Sequence, residues 1–130
     1  LPLRYIGFNG TGKQVRDFVM AEDVADLVVK QVCEGRRNVN RIINVGGGNE
    51  GSLSLRELTA ICQDYFGYEH TITAANRNRP YDIPYYVTDT RCVEKIWGWQ
   101  PSLDARTLSL KLCEWATDNY DFVKWLMEMA

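Results

Sequence analysis

The chain has 130 residues, 45% of them hydrophobic, 25% charged and 12% aromatic, with a net charge of −2. That is enough for one domain with a real core but not for two. With acidic and basic residues interspersed, the charge excludes a general nucleic-acid surface, and any positive site must be local. No apolar run approaches membrane-spanning length and no signal-peptide pattern is read. Four cysteines without a C-x-x-C pair, beside a single histidine, argue against structural zinc. Cys33, Cys62, Cys92 and Cys113 are therefore expected to be mostly buried, reduced thiols of a cytoplasmic protein. The sequence begins at Leu1 rather than Met, which sets the expectation that it is part of a longer product.

Leu3-Arg4-Tyr5-Ile6 predicts a short strand running into the glycine turn of residues 7–12, and Val15 to Val19 a second extended segment. A helix follows, with Glu22 and Asp23 in its first turn, Val24, Leu27, Val28 and Val32 as its apolar stripe, and Gly35 as its end. Arg41-Ile42-Ile43-Asn44-Val45 reads as a buried central strand ending in Gly46-Gly47-Gly48. Ser54 and Glu57 have capping-box spacing at the head of a helix that reaches Gly67. Thr71 to Ala74 predicts another strand, and residues 76–84 an irregular stretch rich in Arg, Asn and Pro. Thr88-Asp89 is expected to cap a short helix stopped by Gly98, with Trp97 and Trp99 packing it onto the body. A last helix from about Asp104 would bury Leu108, Leu112, Trp115 and Ala116, continued by Phe122, Trp125 and Leu126. Alternating helices and short strands indicate an α/β class. Only one central strand is expected, so the pattern reads as the end of a larger fold.

Residues 7–14, G-F-N-G-T-G-K-Q, miss a nucleotide-binding P-loop by one letter, Gln14 standing where Ser or Thr would bind magnesium. The residues after Lys13 read as extended, whereas a P-loop needs a helix there to face the phosphates. A turn between two short strands explains the glycines better. Gly46-Gly47-Gly48 reads as a strand-end turn, since no G-x-G-x-x-G is present, and His70 as a surface loop residue.

The stretch G-x-G-K-Q-V-R-D-F-V-x-x-E-D-V-A-D-L (residues 10–27) resembles the downstream half of the extended short-chain dehydrogenase/reductases, the NAD-dependent nucleotide-sugar epimerases and dehydratases. I-I-N-V-G-G-G with S-L-S-L-R-E-L-T (42–59) resembles that family's late strand, turn and helix. N-R-P-Y-D-I-P-Y-Y-V-T-D-T-R-C-V-E-K-I-W-G-W-Q-P (78–101) resembles its R-P-x-D, D-x-[ST]-[KR] and G-W-x-P segments. The three blocks stand in the family's order and cover essentially the whole chain. Within the family, Y-I-G-F-x-G-x-G-K-Q-V-R-D is most similar to the CDP-paratose (CDP-tyvelose) 2-epimerase branch. Met20 and Ala21 depart from the pattern, occupying places commonly held by His and Val.

The resemblance implies the C-terminal portion of an extended Rossmann-type protein, three to four helices with short strands, without the N-terminal dinucleotide-binding core. Residues 1–130 would form one substrate-binding domain, and the ligand a nucleotide-sugar. Arg16 and Arg79 would clamp its diphosphate, because guanidinium forks bind phosphate bidentately. Asp82 would accept hydrogen bonds from the ribose or steady the neighbouring arginine. Gln14 would lie near the nucleotide, and Tyr5 or another residue of the opening strand near the base. Beside these stand plainer readings: Arg16-Asp17 as a surface pair, Arg79 and Asp82 as incidental loop charges, and Tyr5 as a packed ring. The family's NAD and its Tyr-x-x-x-Lys acid/base pair would lie upstream. Tyr120 and Lys124 have that spacing but stand downstream of every family block, a coincidence of i, i+4 positions on a helix. No catalytic, cofactor-binding or metal-binding residue is therefore expected here, and the chain alone should not turn over substrate. The alternative is a stand-alone binding or self-association module. In either case a homodimer or a separate Rossmann half would cover the faces left open.

Overall fold

The computed structural model describes residues 3–35, 42–75 and 80–129. The expected site residue Arg79, with Arg41 and residues 76–78, lies outside them. The described chain is a mixed α/β arrangement with the strands β1 (Arg4–Tyr5), β2 (Val15–Asp17), β3 (Ser52–Ser54) and β4 (Thr73–Ala74). Its helices are α1 (Ala21–Glu34), α2 (Leu55–Phe66), α3 (Arg91–Trp97), α4 (Ala105–Asp118) and α5 (Tyr120–Met129). There are thus five helices among the described residues rather than three or four. The expected last helix is two, broken where Asn119 leaves helical geometry and its side chain donates to the Trp115 carbonyl.

The strands form two small sheets. β1 runs parallel to β4, while β2 pairs antiparallel with β3 in the register Val15 to Ser54, Arg16 to Leu53 and Asp17 to Ser52. On the other side of β2, the Val15 amide donates to the Pro84 carbonyl at 3.0 Å and the Tyr86 amide to the Val15 carbonyl at 3.2 Å. β2 is thereby held between β3 and the 84–86 segment, which carries Asp82 back to the glycine turn.

Two clusters make the core. Leu27, Val93, Trp97 and Trp99 join α1 to α3, and the Trp99 indole donates to the Asp23 carbonyl at 2.9 Å. Leu53, Ile61 and Ala105 join β3, α2 and α4. Among the described residues the expected central strand is not formed: Ile43 and Val45 pack on the first cluster, but Ile42 is 91% exposed and no described residue pairs with this run as a ladder. A strand exists only through its neighbours. The α1 stripe is likewise half realised, with Leu27 buried while Val28, Val29 and Val32 are exposed.

The α4 face is turned from the expected one. Ala105, Ser109 and Cys113 are buried, whereas Leu112 and Trp115 are exposed. Small side chains let α4 approach α2 closely, and the large ones ride outside. Trp115 meets Phe122 edge-on at 6.3 Å and Phe122 stacks on Trp125 at 5.9 Å, an exposed aromatic row at the α4–α5 corner. All four cysteines lie on helices, but only Cys113 is buried, and Cys33 is exposed. Cys62 on α2 and Cys113 on α4 stand 3.9 Å apart, Sγ to Sγ. Burial first, then the neighbouring Cys62 thiol, pushes the Cys113 thiol up to about 11.

The helix ends bear out the capping expectation at Ser54, whose hydroxyl accepts from the Glu57 amide while the Glu57 carboxylate accepts from the Ser54 amide at 2.7 Å. At α3 the N-cap Thr90 makes no side-chain capping bond, and Asp89 just before it accepts from the Arg91 amide and pairs with its guanidinium at 2.6 Å. These bonds hold Glu57 below its usual 4.5, through the Ser54 amide first, and Asp89 at about 2, through the Arg91 side chain first. Asp104, bonded to the Thr107 amide, is lowered too. A carboxylate depressed by folding contributes stability above its unfolded value and loses it as pH falls through the folded one. The thermal midpoint is therefore expected to be flat near neutrality and to fall from about pH 4.5 toward 2. Glu57→Gln should weaken the upper part of that decline; scanning calorimetry across pH checks it, and an unchanged profile would discount the cap.

Candidate functional site

The glycine turn after β1 is shaped by what it must let through. Gly7 has φ 82°, and a Cβ there would stand 2.0 Å from the Asp82 carboxylate and 2.9 Å from the Gln14 amide. Only glycine combines that backbone with that approach. The turn leads directly into β2, not into a helix, so no helix N-terminus faces a phosphate as a P-loop requires.

Behind this turn, Gln14 is only 6% exposed. Its Nε2 donates to the Ile6 carbonyl at 2.7 Å and to Asp82 Oδ2 at 3.2 Å, joining groups 68 residues apart in sequence. Its Oε1 is buried with no hydrogen-bond partner among the described residues, an acceptor left over where buried polar atoms are ordinarily satisfied. Arg16, at the centre of β2, places Nη2 3.8 Å from Asp82 Oδ1, and its Nη1 donates to the Val15 carbonyl at 2.7 Å. The Arg16 side chain keeps 41% of its surface exposed, so the fork is anchored at one edge and presents the other.

These three residues line one cavity of about 310 Å³ with Arg4, Ile6 and Leu55. It holds two guanidiniums against one carboxylate, a local positive excess in a chain of net negative charge. A larger cavity of about 410 Å³ is lined by Glu50, Glu57, Asp64 and Asp104 with a single arginine, the wrong sign for an anion.

Of the residues singled out from sequence, Gln14, Arg16 and Asp82 are thus brought together. Tyr5 is not among them: its hydroxyl donates to Thr59 Oγ1 at 2.8 Å and its ring packs where a Gly12 Cβ would stand. Arg79 lies outside the described residues. Arg4, which the expectation covered only as another residue of the opening strand, lines the cavity in place of Tyr5. A charged residue at the head of a two-residue strand carries no pattern, and its place is visible only once β1 and β2 line the same cavity.

Asp17, the neighbour of Arg16, points the other way, as alternate residues of a strand do. It accepts from the Gly47 and Gly48 amides at 2.9 and 3.2 Å, so Arg16-Asp17 is not a surface pair but two residues with separate tasks. Among the described residues there is no cluster of three or more metal-ligating side chains and no helix long and apolar enough to cross a membrane.

In sequence the chain is related to the nucleotide-sugar epimerases and dehydratases of the extended short-chain dehydrogenase/reductase type. It is 29% identical over 109 residues to the CDP-paratose 2-epimerase of Salmonella typhi, a match that covers 84% of this chain and 32% of the relative. To the dTDP-glucose 4,6-dehydratase of Neisseria gonorrhoeae it is 29% identical over 121 residues, covering 85% and 34%. In fold it is similar to MoeE5, solved in complex with UDP-glucuronic acid and NAD, with a TM-score of 0.76 at 20% identity over 91% of this chain and 37% of that one. No protein-family profile matches the chain. It spans about a third of the length of these curated relatives.

Proposed function

We propose that residues 1–130 form a substrate-binding domain that holds the nucleoside diphosphate of a nucleotide-sugar, and that the preferred nucleotide is a cytidine diphosphate. The observation that carries this reading is the convergence of Arg16, Asp82 and Gln14 on one cavity. Arg16 would bind the diphosphate through the free edge of its fork, with Arg79 as a second guanidinium. Asp82 is shared between Arg16 and the Gln14 amide and steadies both. The cytidine preference rests on the similarity to a CDP-sugar enzyme.

NAD supplies hydride acceptance and return in such enzymes. On this reading, no described residue of this chain takes part in that step, and the chain by itself binds and orients without turning substrate over. The exposed Val28, Val29, Val32 and Ile42 are the face on which a nucleotide-binding half would sit. The same face favours a second reading, a self-associating module that buries these residues against its own copy.

Calorimetric titration of the chain with CDP, UDP, dTDP, GDP and CMP tests the proposal. CDP is expected to bind at least about tenfold more tightly than CMP, since the second phosphate brings the charge that Arg16 meets. Binding of all diphosphates alike would refute the base preference while keeping the site. No binding by any of them, together with a concentration-dependent dimer in sedimentation, would favour the second reading.

A further inference from the structure

Cys62 borders an apolar cavity of about 380 Å³ lined also by Leu58, Phe66, Tyr68, His70 and Ile72. Directly behind it, on α4, Cys113 is buried with its Sγ 3.9 Å away. α2 and α4 pack against each other through Ile61 and Ala105. A disulfide needs the two sulfurs at about 2.05 Å, so closing the pair asks for about 2 Å of movement, within reach of side-chain rotation and a small helix shift. The two cysteines are 51 residues apart in sequence, a pairing that no spacing motif announces.

We propose that Cys62 and Cys113 are a redox-active dithiol that closes to a reversible intramolecular disulfide, with Cys62 the thiol that meets the oxidant through the apolar cavity. The oxidant is a low-molecular-weight disulfide. The Cys62 thiolate attacks one of its sulfurs, forming a mixed disulfide and releasing one small thiolate. Cys113 passes its proton to that thiolate and attacks the Cys62 sulfur, releasing the second small thiolate, which takes from solvent the proton that Cys62 gave up. Two protein thiols are oxidised by two electrons and the small disulfide is reduced to two thiols; excess small thiol reverses both steps. The bond would tie α2 to α4 and constrain the unfolded chain across the loop between them.

The native chain is incubated with oxidised glutathione and then alkylated, digested without reduction and weighed. The expected result is an intact chain about 2 Da lighter than the reduced one before alkylation, two fewer alkyl groups after it, and a cross-linked peptide joining Cys62 to Cys113. The thermal midpoint should rise by several degrees on oxidation and return with dithiothreitol. Cys33→Ser should keep both effects. Cys62→Ser, at a half-buried position that tolerates the change, should lose both while keeping the reduced midpoint. Glutathione adducts without the cross-link, or a cross-link that appears only in denaturant, would overturn the proposal.

Discussion

Gly47→Ala is expected to unfold the chain about 10 °C or more below the parent, a loss of about 3 kcal/mol or more. The methyl group would stand 1.9 Å from the Phe18 carbonyl oxygen, 2.8 Å from its carbon and 3.0 Å from the Gly51 Cα. None of these is a flexible side-chain end. All three backbones are tied, since the Phe18 amide donates to the Gly51 carbonyl at 2.7 Å and the Gly51 amide to the Gly47 carbonyl at 3.1 Å. Asp17 holds the Gly47 amide from the other side. The methyl therefore has to push the end of β2 away from β3 or break the turn. Gly67→Ala serves as the comparison: its φ of 70° strains an alanine by about 1 kcal/mol, but nothing lies within 4 Å of the new Cβ. Thermal denaturation of the two variants side by side decides the matter. If Gly47→Ala melts no lower than Gly67→Ala, the close packing of this turn is not what holds β2.

Arg16→Ala should separate binding from stability. The Arg16–Asp82 contact is 3.8 Å long with the arginine substantially exposed, and such pairs contribute under about 1 kcal/mol to folding. The midpoint should hence move little. On the proposed function, a charge-assisted bond to a diphosphate is worth about 1.5–3 kcal/mol, so the dissociation constant for a nucleoside diphosphate should rise about 10- to 100-fold. Arg16→Lys should fall between the two, keeping the charge while losing the fork. Titration calorimetry on folded variants gives the answer: an unchanged constant for Arg16→Ala would mean that the cavity is not where the phosphates bind.

The site was partly legible from the chain alone. Gln14, Arg16 and Asp82 stand in motif blocks that point to a diphosphate-binding family, and the structure gathers them from two segments into one cavity. Arg4 was covered only as another residue of the opening strand because nothing local distinguishes it, and the separate task of Asp17 was hidden by its adjacency to Arg16. The Cys62–Cys113 pair was missed for the same reason, its members meeting only through helix packing.

What the sequence by itself determined are the features that depend on a few neighbouring residues. The Ser54–Glu57 cap, the left-handed glycines that end α1, α2 and α3, and the glycine turn that runs into a strand all close over local hydrogen bonds. What only the tertiary structure decided are the features that need a partner. The run from Ile42 to Val45 has strand composition but no ladder beside it, and the stripe of α1 is apolar beyond the surface available to cover it. On α4, close approach to α2 selected Ala105, Ser109 and Cys113 over the larger Leu112 and Trp115. Composition sets which faces are apolar, but burial is a property of two surfaces, and the second is not written in the segment that carries the first.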